Sequence, residues 1–153
     1  MRKIMVFTMF TAAVFFASCS LASKHEKWEK EEEQQIMNYL GGNPDLDFEK
    51  SESGLYYLDI VIGNGMNPLK GDSVFINYTG YLLDGRIFDS NEGRGPLAFP
   101  VGIGWAIPGF DEGVMRMKKG GKAMLLIPSS LAYRDYTPLL FEVELDSIIF
   151  VTE

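Results

Sequence analysis

Phe88 and Asp89 place an aromatic ring and a carboxylate side by side on a segment that shortly follows Tyr78. A carboxylate beside a core aromatic needs a charge or hydrogen-bond partner, and Arg94 and the Tyr78 hydroxyl are the candidates. Such a cluster is one wall of an apolar pocket holding a few polar groups, suited to recognising an apolar ligand. Taken plainly instead, it is a hairpin with a buried Tyr and Phe.

Other chemistries are closed to this chain. His25 is the only histidine and lies in a charge-dense segment, so a Ser-His-Asp or Cys-His arrangement inside the domain is excluded. Zinc sites built on His and Cys fall with it. Gly102-Ile103-Gly104 lacks the third glycine of a dinucleotide fingerprint, the place being taken by Ile107. Asn77-Tyr78-Thr79 has the form of a glycosylation acceptor but sits inside a strand pattern. No cofactor is called for. Any catalysis must use shape, hydrogen bonds and desolvation.

The elements that position the cluster follow from periodicity. Val74, Ile76 and Tyr78 share one face of a strand over Asp72 to Leu83, and Asp84-Gly85 is a hairpin turn in which Gly85 takes positive φ. Leu55 to Ile62 is apolar and β-branched and ends at Gly63-Asn64-Gly65, while Leu97 to Val101 is a short strand. Ile107, Phe110, Val114 and Met117 fall on one helical face, with Pro108 in the first turn and Lys118-Lys119-Gly120-Gly121 at the close. Ala123, Leu125 and Ile127 alternate. Leu139, Phe141, Val143 and Leu145 then oppose Glu142, Glu144 and Asp146 with a period of two. Hairpin-linked strands with one late helix predict an α+β fold, an antiparallel β-sheet wrapped on a single short helix.

The first residues read differently. Arg2 and Lys3 precede an apolar run from Ile4 to Phe16, and Ala17-Ser18-Cys19 supplies small residues at a cleavage point, the pattern of a secretory signal. Phe16-Ala17-Ser18-Cys19 resembles a bacterial lipobox with Phe in place of the aliphatic start. That resemblance implies lipidation of Cys19, the only cysteine, and stable membrane anchoring through several acyl chains. A free thiol is the alternative. Removing Arg2 and Lys3 takes the net charge from −7 to −9, which argues against nucleic acid as a partner. Lys24 to Leu40 is dense in Glu and Lys with Ile36, Met37, Tyr39 and Leu40 at its end. It reads as a short N-terminal tether helix stopped at Gly41-Gly42-Asn43-Pro44, or as a solvated spacer whose last turns alone pack. The expected division is a signal peptide over 1–18, a lipidated tether over 19–53 and a domain over 54–153.

Tyr78-Thr79-Gly80-Tyr81-Leu82-Leu83-Asp84-Gly85-Arg86-Ile87-Phe88-Asp89-Ser90 resembles the signature of FKBP-type peptidyl-prolyl cis-trans isomerases. The resemblance extends over roughly residues 54 to 150. Ala106-Ile107-Pro108-Gly109-Phe110-Asp111-Glu112-Gly113, Met117-Lys118-Lys119-Gly120-Gly121-Lys122-Ala123, Ile127-Pro128 with Ala132-Tyr133, and Phe141-Glu142-Val143-Glu144-Leu145 follow in the family's order. It implies an FKBP-like domain in which Tyr78, Phe88, Phe99 and Phe141 are aromatic pocket walls and Asp89 is the acidic group beside them. Phe110 is then the floor, Ala106 a lining residue, Ile107 the residue whose N–H receives a ligand carbonyl, and Tyr133 a hydroxyl donor to a substrate amide. Buried Phe99 and Phe141 serve equally well as packing. Four departures stand out: Ala106 is smaller than the usual Val, Leu97 replaces an aromatic, Phe110 replaces Trp, and Arg134-Asp135-Tyr136-Thr137-Pro138 replaces a loop of over a dozen residues.

Rotation about an X-Pro bond meets a barrier of roughly 18–20 kcal/mol because amide resonance is lost at the twist. Since no bond breaks, an apolar pocket that favours the less polar twisted amide suffices. The resemblance therefore implies an isomerase assisting the folding of proline-containing envelope proteins, exported and lipid-anchored through Cys19, with the outer membrane facing the periplasm as its expected place. The rival readings are a non-catalytic FKBP-like module that binds peptide or protein, and a structural lipoprotein that kept the fold and lost the pocket.

Overall fold

The computed structural model describes residues 24–151, so the signal segment and Cys19 lie outside the described residues. Helix α1 covers residues 24–42. There follow β1 (Glu49–Lys50), β2 (Tyr56–Val61), β3 (Ser73–Leu82), β4 (Ile87–Ser90), β5 (Leu97–Pro100), helix α2 (Pro108–Arg116) and β6 (Lys122–Ile127). A 3-10 turn (Ser129–Leu131) then leads to β7 (Leu139–Ile149). No helix among these residues is long and apolar enough to cross a membrane.

The strands form one antiparallel sheet in the order β1-β2-β6-β7-β3-β4, with β5 also against β3. β3 is paired along both of its edges. One edge pairs with β7 from Ser73↔Ile149 to Leu82↔Leu139, and the other is shared. β5 takes Ser73 to Ile76, β4 takes Thr79 to Tyr81, and neither covers the gap between them. Asn91, 7% exposed, fills it. Its Oδ1 accepts from Tyr78 N–H at 2.8 Å, and its Nδ2 donates to Ile76 O and Gly95 O at 2.9 and 3.0 Å. A buried backbone group left unpaired there would cost about 1–3 kcal/mol, which a side-chain amide avoids.

Helix α2 lies on the inner face. Phe110, Val114 and Met117 meet Val74, Ile76, Leu125, Phe141 and Leu145 in the main core. Gly109 and Gly113 let the helix come close: a Cβ at these positions would stand 2.5 Å from Ile127 and 2.6 Å from Leu125. That steric demand accounts for both glycines of the Pro108-to-Gly113 segment.

The outer face is covered as well. Met124 and Leu126 point away from the main core and, with Leu140, pack against Ile36, Tyr39 and Leu40 of α1. Residues 24–53 therefore contribute α1 and β1 to the folded unit, and α1 is a docked helix along much of its length. It continues through Gly41 and Gly42 and ends where Asn43 Nδ2 donates to Tyr39 O at 2.7 Å, a side-chain cap on an otherwise open carbonyl. The polar outer residues Glu142, Glu144, Lys122, Asn77 and Thr79 line a concavity of about 410 Å³ beyond the helix. Tyr78 is the one aromatic among its lining residues.

Candidate functional site

The inner face opens at one end into a cleft of about 300 Å³ lined by Tyr78, Phe88, Asp89, Leu97, Trp105, Ala106, Ile107, Phe110, Tyr133 and Phe141. Each wall comes from a different element. Tyr78 stands on β3, Phe88 and Asp89 on β4, Phe110 on the first turn of α2 and Phe141 near the start of β7. The rings contact one another: Phe110–Phe141 centroids are 5.0 Å apart at 71°, Phe88–Phe141 5.5 Å at 82° and Tyr78–Phe110 5.9 Å at 76°. Edge-to-face packing of this kind fixes ring planes as well as positions. Gly80 permits it, because a Cβ there would lie 2.8 Å from Phe88 and 2.9 Å from Phe141.

The polar groups sit at the rim. Tyr78 Oη–H donates to Asp89 Oδ2 at 2.7 Å, while Asp89 Oδ1 accepts from Ser90 N–H at 2.9 Å and faces Arg94 Nη2 at 3.7 Å. Both partners expected for Asp89 are thus in place. Burial, and then the bond to Asp89, push the Tyr78 hydroxyl up to about 12, so it remains a neutral donor at any physiological pH. Ile107 caps α2 with its carbonyl, which accepts from Phe110 and Asp111 N–H at 3.0 Å each. Its own N–H donates to no acceptor among the described residues and stays available to a ligand carbonyl.

Phe99 stands apart from its expected role. It is 2% exposed and lies behind the cleft, not on its surface. Its ring carries Trp105, stacked at 5.0 Å and 16°, and it is Trp105 that reaches the wall. Sequence reasoning missed Trp105, since an indole in a Gly-rich loop carries no periodicity. Its only signal was adjacency to Ala106-Ile107. Asp111 was also missed: it accepts from Gly102 N–H at 2.6 Å and Gly104 N–H at 3.1 Å, tying the Trp105 loop to α2.

An aromatic floor with a free N–H at one edge and a carboxylate–phenol pair at the other fits an amide beside an apolar ring. The family model for FKBP-type peptidyl-prolyl cis-trans isomerases matches residues 65–146, which include the greater part of this cleft. The chain belongs to that family.

Among FKBP-type relatives, the probable isomerase FkpA of Neisseria meningitidis is 40% identical over 114 residues, covering 73% of this chain and 41% of that protein. FkpA of Aeromonas hydrophila is 38% identical over 136 residues, covering 82% of this chain and 50% of that protein. The crystal structure of FkpA from Escherichia coli superposes with a TM-score of 0.72 at 30% identity, covering 96% of this chain and 73% of the other. AtFKBP13 does so at 0.62 and 35% identity, covering 66% and 98%. The chain thus spans half or less of the length of these two FkpA relatives. The α+β fold expected from the strand pattern, and the FKBP-like domain that the resemblance implied, are present, with α1 added on the outer face.

Proposed function

We propose that this protein is a peptidyl-prolyl cis-trans isomerase whose cleft receives a prolyl ring among Tyr78, Phe88, Phe110 and Phe141. The observation that carries the reading is the edge-to-face aromatic floor closed by the Tyr78–Asp89 pair and the free Ile107 N–H. Ile107 N–H holds the substrate carbonyl and Ala106 leaves space beside it. Trp105 and Leu97 form the side wall, and the Tyr133 hydroxyl donates to a substrate amide. The floor excludes water from the rotating bond, which favours the twisted amide over the planar one.

A protease-coupled or NMR exchange assay on X-Pro peptides decides the matter. Acceleration that saturates with peptide is the expected result, and its absence at high concentration of folded protein sinks the isomerase reading. The second reading, a binding module without useful turnover, is favoured by one feature: Tyr133 is 63% exposed, because the short 128–138 connection lays no cover over the cleft. Peptide affinity without rate acceleration would select it.

The wider role follows from the leader. Its substrates are proline-containing, unfolded or partly folded envelope proteins, and the membrane is reached through a lipid on Cys19, at the outer membrane on the periplasmic side. The signal pattern and the lone cysteine after small residues support this reading. Labelling with a fatty-acid analogue that persists in Cys19→Ala would remove the anchor assigned to Cys19.

A further inference from the structure

Glu32 is the buried charge of α1, at 8% exposure. The ion pairs of that helix, Lys27–Glu31 and Lys30–Glu26, lie on exposed side chains and do not include it. A carboxylate buried without a cation is unfavourable where a leucine would pack, so its value lies in the direction of its hydrogen bonds. Both are spent on one residue. Glu32 Oε1 accepts from Ser129 N–H at 2.5 Å and Oε2 accepts from Ser129 Oγ–H at 2.7 Å.

Ser129 opens the 3-10 turn before Tyr133. Its carbonyl accepts from Ala132 N–H at 3.0 Å and Arg134 N–H at 2.8 Å, the residues on either side of Tyr133. Arg134 and Tyr136 hold φ of 59° and 63°, a region non-glycine residues occupy only when surroundings enforce it. The surroundings are again α1: the Trp28 ring lies 5.3 Å from that of Tyr136, and His25 Nδ1 bonds the Tyr136 hydroxyl. The short connection is held from outside at both ends by the N-terminal helix.

We propose that Glu32 is a positioning residue of the cleft, acting through Ser129 to place Tyr133, so that the rim takes its working geometry only while α1 is docked. The activity readout rests on the isomerase reading, but the structural readout does not. The cleft floor sits on β3, β4, β7 and α2 and is independent of this contact. Loss of Glu32 should therefore act on substrate binding and leave the chemical step nearly alone.

The test measures, in the full chain, amide exchange by NMR together with KM and kcat on an X-Pro peptide. Glu32→Ala is expected to speed exchange at Ala132 and Arg134 selectively and to raise KM roughly tenfold, with kcat within about twofold. Glu32→Gln should restore both, since its amide oxygen accepts from Ser129 N–H and its NH2 meets the hydroxyl oxygen. If Glu32→Ala does not fold, Ser129→Ala, which removes the hydroxyl bond alone, should give a smaller change of the same kind. Unchanged exchange at Ala132 and Arg134 overturns the proposal, as does a uniform rise across the domain with KM unaltered. If the parent protein has no turnover the isomerase reading fails by itself, and exchange with peptide affinity in place of KM then decides the role of Glu32.

Discussion

The Tyr78 hydroxyl donates to Asp89 Oδ2 at 2.7 Å, joining β3 to the short return strand β4 across the mouth of the cleft. The bond holds β4 where pairing is weak, because its register with β3 shifts after Gly80. It also keeps the carboxylate turned along the rim.

Breaking that pair should loosen the rim without dismantling the sheet. Tyr78→Phe is expected to cost about 1 kcal/mol of stability and to lower kcat/KM by roughly three- to tenfold. Asp89→Ala should match it, and the double variant should lose less than the sum of the two. Full additivity in a thermodynamic cycle would show that the bond contributes nothing.

Alkaline pH should expose the same bond. The Tyr78 hydroxyl is raised from 10.0 to about 12 by burial and by Asp89. Between these values the unfolded chain releases its proton while the folded one keeps it, so stability falls as pH rises. The contribution is complete below pH 10.0 and is lost on passing through about 12. Tyr57 is raised in the same direction, by burial and then by its bond to Asp59. Denaturant midpoints of the parent and Tyr78→Phe should therefore converge over that interval; a constant difference from pH 10.0 to about 12 would contradict the assignment.

Gly80→Ala probes the floor. The new methyl would meet the Phe88 and Phe141 ring edges at 2.8–2.9 Å, and those edges are what moves. A stability loss of about 1–3 kcal/mol is expected, with a rise in KM as the rings tip into the cleft. A lower melting temperature with unchanged KM would show that the floor re-forms.

Trp105 is the remaining wall. Trp105→Ala should raise KM several-fold with kcat nearly constant, and Trp105→Phe should retain most of the binding, since a phenyl ring still stacks on Phe99. In a Trp28→Phe background its emission should shift when an X-Pro peptide binds, and silence would place the peptide elsewhere.

Much of this was legible in local pattern. The alternation through Val74, Ile76 and Tyr78, the Asp84-Gly85 turn and the Pro108 start of α2 are short-range signals, and each became the expected element. β6 was half-read. Ala123, Leu125 and Ile127 marked the inner face, but Met124 and Leu126 between them make the whole run apolar, the mark of a strand covered on both sides. Phe99 was misplaced for a related reason: a buried aromatic on a short strand looks the same in sequence whether it faces a ligand or supports the residue that does.

By itself, then, the order of residues determined the strands and the turns, because backbone preference and the period of two or 3.6 act over a few neighbours, while the pocket lining was what the family resemblance implied. Tertiary structure alone decided that Trp105 fronts Phe99, that Asn91 bridges the gap beside β3, and that Glu32 meets Ser129 across 97 positions of chain. These pairings depend on which surfaces the folded sheet brings within bonding distance, and a Glu among four others on a charged helix carries no mark of being the buried one.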